Sequence, residues 1–135
     1  MIRICVDVSD LEQAIAFYRD GLGLTPGRRL KNNWVEMLGA EVPIDLLTEK
    51  AGSSPSPKTT AVRSFERHWT PVHLDFVVAN LDEAVEKAKA AGATVDREAQ
   101  QRPYGRIAVL ADPFGNGFCL LEMQGRGYDE MLNPR

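Results

Sequence analysis

Arg3-Ile4-Cys5-Val6-Asp7-Val8 and His73-Leu74-Asp75-Phe76-Val77-Val78 stand 70 residues apart, and reading them together decides the fold. Both are short and rich in β-formers, which predicts a strand in each place. Each runs straight into a helix start, Ser9-Asp10-Leu11-Glu12 in the first and Ala79-Asn80-Leu81-Asp82-Glu83 in the second. Ser9 with Glu12 fits a capping box, and Asn80 is a favoured N-cap with Glu83 at N3. The apolar stripe then matches position for position. Leu11, Ala14, Ile15 and Tyr18 answer to Leu81, Ala84, Val85 and Ala88 at helical spacing. Gly23 and Gly92 end the two helices. Strand, cap, stripe and stop recur together, which marks an internal duplication.

After each stop the text turns strand-like again. The first copy gives Trp34–Leu38, a turn at Gly39-Ala40, then Ile44–Leu47. The second gives Ala93–Asp96, Ile107–Leu110, a turn at Asp112-Pro113-Phe114-Gly115-Asn116-Gly117, then Phe118–Leu121. Each copy reads as one strand, one helix and about three further strands, an α+β class with two tandem βαβββ modules. Module one covers about 2–49 and module two about 71–123. Residues 50–70 contain the Gly/Ser/Pro/Thr-rich run 51–60 and read as a linker, and 124–135 read as a polar tail over the surface. Neither half is expected to be stable alone, so residues 1–135 form a single domain.

Composition narrows the classes. The 135 residues are 44% apolar, enough for a core that needs no disulfide staples, and the two cysteines, Cys5 and Cys119, make no framework. Sixteen Lys plus Arg against nineteen Asp plus Glu give a net charge of −3, so no domain-wide basic field serves nucleic acid. No apolar run approaches the ~20 residues that span a bilayer, and the start Met1-Ile2-Arg3-Ile4-Cys5 lacks signal-peptide features. The expectation is a cytoplasmic protein with reduced cysteines and no membrane partner. Dinucleotide, P-loop, zinc-protease and serine-hydrolase motifs are all missing from the text.

With its two βαβββ modules, the run Ala16-Phe17-Tyr18-Arg19-Asp20-Gly21-Leu22-Gly23-Leu24 and the late Asp112-Pro113-Phe114-Gly115-Asn116 turn, the chain resembles the vicinal oxygen chelate superfamily. Glyoxalase I, bleomycin-resistance proteins, fosfomycin-resistance enzymes and extradiol dioxygenases belong to it. The resemblance covers residues 2–123 and implies a cupped sheet around a cavity. It also implies a divalent metal on the cavity floor, held by His, Glu, His and Glu from the first and last strands of the modules. One scaffold hosts many reactions, so the resemblance fixes no activity. Carried onto this chain, the four ligand positions fall at Arg3, Asp45, His73 and Cys119.

Only His73 is the expected ligand type, and Asp45 is a shortened one. A guanidinium has no lone pair to give and repels a dication, so Arg3 argues against the usual metal. The expectation is therefore no cofactor, with Arg3 beside Asp45 supplying the missing positive charge and open to an anionic or oxygen-rich ligand. A divalent ion (zinc, nickel, iron or manganese) on Asp45, His73 and Cys119 is the alternative. Each residue also has a plainer reading: Arg3 a strand end in water, His73 a satisfied core histidine, Cys119 a small buried hydrophobe.

Alternation predicts the other cavity residues. Asp7 shares a face with Arg3, and Asp75 shares one with His73. Trp34, Glu36, Tyr104 and Arg106 are weaker candidates on the middle strands, whose plainer reading is a solvent-facing side chain. Glu122 cannot replace Cys119 because it falls on the opposite face of its strand. Three functions remain open. The first is a metal-free binder of a small organic molecule, the second a lyase, thiol transferase or dioxygenase with an irregular metal site. The third is a metal-free enzyme with His73 as general base and Arg3 stabilising an oxyanion. The family resemblance also implies a homodimer.

Overall fold

The computed structural model describes residues 1–69 and 72–132. Residues 70–71, at the junction of the expected linker and second module, and 133–135, at the end of the tail, lie outside the described residues. The chain divides into two compact units, Met1–Glu66 and Arg67–Arg135.

The first unit runs β1 (Ile4–Val8), α1 (Leu11–Ala16, extended by a π-helical turn over Phe17–Gly21), β2 (Thr25–Leu30), β3 (Trp34–Leu38) and β4 (Ile44–Thr48). The second runs β5 (Leu74–Val77), α2 (Leu81–Ala90), β6 (Thr94–Arg102), β7 (Gly105–Ala111) and β8 (Gly117–Met123), then a 3₁₀ turn over Gly127–Met131. The strand orders are β1-β4-β3-β2 and β5-β8-β7-β6. In both, the first strand lies parallel to the last and the other pairs are antiparallel. The duplication predicted from the sequence is thus the architecture: α+β, in two tandem βαβββ modules.

Alternation along the strands divides each sheet into two faces. In the first unit Val8, Val35, Met37, Ile44 and Leu46 turn to one side and, with Leu11, Ala14 and Phe17, make a buried core. Leu81, Val85 and Ala88 from α2, with Ala108, Leu110, Phe118 and Leu120, make the core of the second. The stripe read from the sequence is the buried face of each helix. Gly23 and Gly92 follow the helices with φ of 74° and 117°, a conformation that side-chain-bearing residues rarely adopt.

Four expectations need correcting or completing. The first helix is capped by Asp10, whose side chain accepts from the Gln13 amide at 2.9 Å, and not by a Ser9–Glu12 box. This makes the caps equivalent, because Asn80 accepts from the Glu83 amide in the same way. The third of the later strands expected in module one, which no stretch of the sequence located, is Thr25–Leu30; its Pro, Gly and paired Arg residues disguise it, and it is exposed throughout. β6 is nine residues long, reaching Arg102 rather than Asp96, with register shifts that absorb its polar stretch.

The expected linker is also not a free spacer. The Gly52 amide donates to the Arg63 carbonyl at 2.8 Å and the Arg63 amide to the Ser53 carbonyl at 2.9 Å. The Arg63 side chain then reaches Asp7 on β1 at 2.9 Å. No helix among the described residues is long and apolar enough to cross a membrane.

Substituting Asp10→Ala or Asn80→Ala should each cost about 1 kcal/mol in urea denaturation, the usual worth of an N-cap. Ser9→Ala should change stability by less than about 0.5 kcal/mol, as an ordinary surface change does.

Candidate functional site

Cys5 registers with Asp45 across the parallel β1–β4 pair, and Glu36 registers with Asp45 across the antiparallel β3–β4 pair. All three therefore project from the face opposite the helix, and alternation puts Arg3 on that face as well. Two carboxylates now stand side by side, each only 4% exposed. Buried like charges repel, and burial without a counter-charge would force at least one to take up a proton.

Arg3 supplies that counter-charge. Its Nε donates to Asp45 Oδ2 at 2.8 Å and its Nη2 to Asp45 Oδ1 at 2.6 Å, a two-pronged contact with a planar carboxylate. The same Nη2 donates to Glu36 Oε2 at 2.5 Å. Arg28 completes the group, with Nε to Glu36 Oε1 at 2.5 Å and Nη2 to Glu36 Oε2 at 2.9 Å. Hydrogen bonds from Arg28 and then Arg3 hold the Glu36 carboxyl down at about 2, well below its ordinary value. The Arg3 guanidinium is correspondingly raised, by Asp45 first and Glu36 second.

The second unit carries the same places with different residues. Cys119 registers with Asp75 on β5 and with Val109 on β7, so these share the face opposite α2. His73 lies just before β5 and corresponds to Arg3. Its Nε2 is 3.3 Å from Asp75 Oδ1, and donor atoms of His73, Asp75 and Cys119 all lie within 4.8 Å of one another. Trp69 stacks on the His73 ring at 4.1 Å between centroids and 20° between planes. Cys119 is 3% exposed. Burial chiefly, then the Asp75 charge and hydrogen bond, push its thiol up to about 12, so it is no ready nucleophile. Arg67, His68, Trp69, Asp96, Arg97 and Val109 line a cleft of about 470 Å³ in this unit, within the size range of small-molecule sites.

The expected site residues separate into groups. Arg3 meets Asp45, and His73 meets Asp75 and Cys119, each within one unit. Asp7 is on the expected face of β1, but Arg63 bonds to it. Trp34 registers with Leu47 and shares the Glu36 face, and its indole N–H is buried with no partner among the described residues. Tyr104 sits in the β6–β7 turn, 5.1 Å from the ring of Tyr128 in the tail.

Arg106 does not join the Cys119 face. It registers with Glu122 and donates to Asp82 of α2 at 2.8 and 3.0 Å, on the helix side of the sheet. Glu122 is there too, accepting from the Leu81 amide at 2.7 Å. Arg28, Arg63 and Trp69 were not foreseen as parts of these arrangements. The Arg28 contact depends on the irregular register between Pro26 and Arg29, which strand alternation cannot anticipate.

The family's metal finds a poor set of donors in the first unit. Arg3 has no lone pair, and its N–H groups already occupy oxygens of Asp45 and Glu36 that would face an ion. The four-ligand arrangement that the family resemblance implies does not fit these residues.

Paired βαβββ modules of this strand order are the fold of the vicinal oxygen chelate class. A family model described as a glyoxalase-like domain matches residues 3–121, and the chain belongs to that family. It is 34% identical over 120 residues to the anthracycline biosynthesis protein DauV of Streptomyces sp. (strain C5), covering 85% of this chain and 38% of that protein. The chain thus spans well under half the length of this relative. Among solved structures it resembles the genomically encoded fosfomycin resistance protein FosX from Listeria monocytogenes. The TM-score is 0.71 at 21% identity, covering 98% of this chain and 97% of that one. It also resembles TnmS3, an antibiotic binding protein from Streptomyces sp. CB03234, with TM-score 0.65 at 22% identity, covering 90% and 93%. At these identities the two structures share the fold with this chain.

Because the folded state holds Glu36 ionised more firmly than the unfolded chain does, its contribution to stability is present above the ordinary carboxylate value of 4.5. It is lost as pH falls towards about 2. Thermal melts between those limits should show wild-type stability declining, and Glu36→Gln should flatten that decline. Arg3→Ala should lower the melting temperature at pH 7, with a deficit that shrinks on acidification as the stranded carboxylates become neutral. An Arg3→Ala deficit that grows on acidification would contradict this assignment.

Proposed function

We propose that this protein binds a planar, oxygen-bearing organic molecule of the antibiotic type and does so without the four-ligand metal of its family. The observation that carries this reading is the Arg3 guanidinium lying on both Asp45 and Glu36. A fixed side-chain cation holds together two carboxylates that would otherwise need an ion, so the binding face is stable without one. Three further features support the reading. The cleft of the second unit sets an indole among cationic and acidic side chains, with Arg67 5.6 Å from the Trp69 ring centroid. Such a wall suits flat aromatic ligands carrying hydroxyl or carboxylate groups. The first unit, taken by itself, holds a buried donor without a partner among the described residues, the indole N–H of Trp34. The relative DauV is named for anthracycline biosynthesis and the structural neighbour TnmS3 for antibiotic binding, both consistent with a ligand of the antibiotic type.

On this reading the protein is a cytoplasmic homodimer that sequesters or presents its ligand. His73 as general base in a metal-free reaction is the lesser reading; its contact with Asp75 gives it an orienting partner.

The test is tryptophan fluorescence quenching by a panel of hydroxylated anthraquinones and anthracyclines, before and after exhaustive treatment with a chelator. Saturable quenching should appear for at least one compound and change less than about threefold after chelation, and Trp69→Ala should weaken it about tenfold or more. A panel that gives no saturable binding, or binding abolished by the chelator, would overturn the proposal.

A further inference from the structure

Along β8, alternation turns Gly117, Cys119, Leu121 and Met123 to the face opposite α2. An aromatic ring stands at each end of that row. At the first end a Cβ placed on Gly117 would collide with the Trp69 ring, so Trp69 occupies the space that this glycine leaves. At the other end the tail folds back. Gly125 and Gly127, with φ of 57° and 59°, reverse the chain, and the Gly127 amide donates to the Gln124 carbonyl at 2.8 Å. A Cβ placed on Gly127 would lie 3.8 Å from Met123 Sδ, which puts the turn over Gly127–Met131 against the same face. Tyr128 then meets Tyr104, with 5.1 Å between ring centroids and 56° between planes.

We propose that this C-terminal turn completes the ligand site of the second unit, with Tyr128 as an aromatic wall at the opposite end of β8 from Trp69, selecting flat molecules long enough to reach both. The proposal rests on the ligand-binding reading and deepens it. The turn lies beyond residues 3–121 that the glyoxalase-like family model matches, so this wall belongs to the chain's own tail.

The surface between the two ends suits such a molecule. At about 3.3 Å per residue, Gly117 and Met123 stand roughly 20 Å apart along the strand. Val109 registers with Cys119 and Ile107 with Leu121, so the middle of the row is apolar. Asp75 registers with Cys119 from the other side and supplies an acceptor for a ligand hydroxyl or amine.

Tyr128 looks along this row. Burial first, then the Asp75 charge, with smaller effects of Tyr104 and Cys119, raise its hydroxyl above the ordinary phenol value. The side chain is therefore close to the floor of the site and not turned away from it. Tyr128 is still 54% exposed, which leaves area on it for a ligand to cover. A tyrosine offers that area at low entropic cost, because only two side-chain torsions need fixing.

The experiment is calorimetric titration of the full-length protein with two probes. One is the hydroxylated anthraquinone or anthracycline of the quenching panel that binds most tightly, and the other is 2-naphthol, a shorter aromatic. Wild type should bind 2-naphthol at least about tenfold more weakly than the longer compound. Tyr128→Ala should weaken the longer compound about tenfold, and Tyr128→Phe less than about threefold. Tyr128→Leu fills similar space without an aromatic face and should behave as Tyr128→Ala does, circular dichroism reporting that each variant folds. Wild-type affinity in Tyr128→Ala or Tyr128→Leu, or 2-naphthol bound as tightly as the longer compound, would overturn the wall. Affinity lost in Trp69→Ala but kept in Tyr128→Ala would sink this proposal alone and leave the ligand-binding reading standing. No saturable binding by any member of the panel would remove that reading, and the wall with it.

Discussion

Three hydrogen bonds from one guanidinium, two to Asp45 and one to Glu36, hold the first unit's open face in its present form. The register of β1, β3 and β4 brings both carboxylates to one spot regardless of what else is there. Two such groups, almost wholly removed from water, cannot both stay ionised without a positive partner. Here a side chain of the same unit provides it. Removing the cation therefore unbalances a buried pair of anions, whereas removing a surface arginine such as Arg19, which pairs with exposed Asp20, changes little.

The fold was legible because its signals are local and occur twice. Strand composition, the cap at Asn80, the apolar stripe and the glycine stops each act over a few residues, and repetition at a fixed interval removes the ambiguity of any one. Ser9 was misread as a cap for a physical reason: Ser9 and Asp10 are both good acceptors, and only backbone geometry decides which of them faces the Gln13 amide. Thr25–Leu30 could not be located because an exposed strand carries no buried face to leave a pattern in the sequence.

The site was legible in part. Arg3, Asp45, His73 and Cys119 came from strand position and family resemblance, and alternation alone brought in Asp75. Arg28 and Trp69 act across bulges and connecting segments, where period-two counting has no hold. Arg106, a weaker candidate from the middle strands, lies opposite the Cys119 face because it registers with Glu122, three residues beyond Cys119 on β8. Asp7 lies on the face that alternation gives it, but its partner Arg63 is 56 residues away in a segment read as linker.

The pinched base of that segment has a practical consequence. With Gly52 and Ser53 clasped to Arg63, the nine residues from Ser54 to Val62 form a bight whose ends are fixed to each other independently of its contents. Lengthening such a bight costs only the slow logarithmic growth of closure entropy. An epitope or fluorescent reporter could therefore be grafted there while β1 and the Arg3 cluster keep their places.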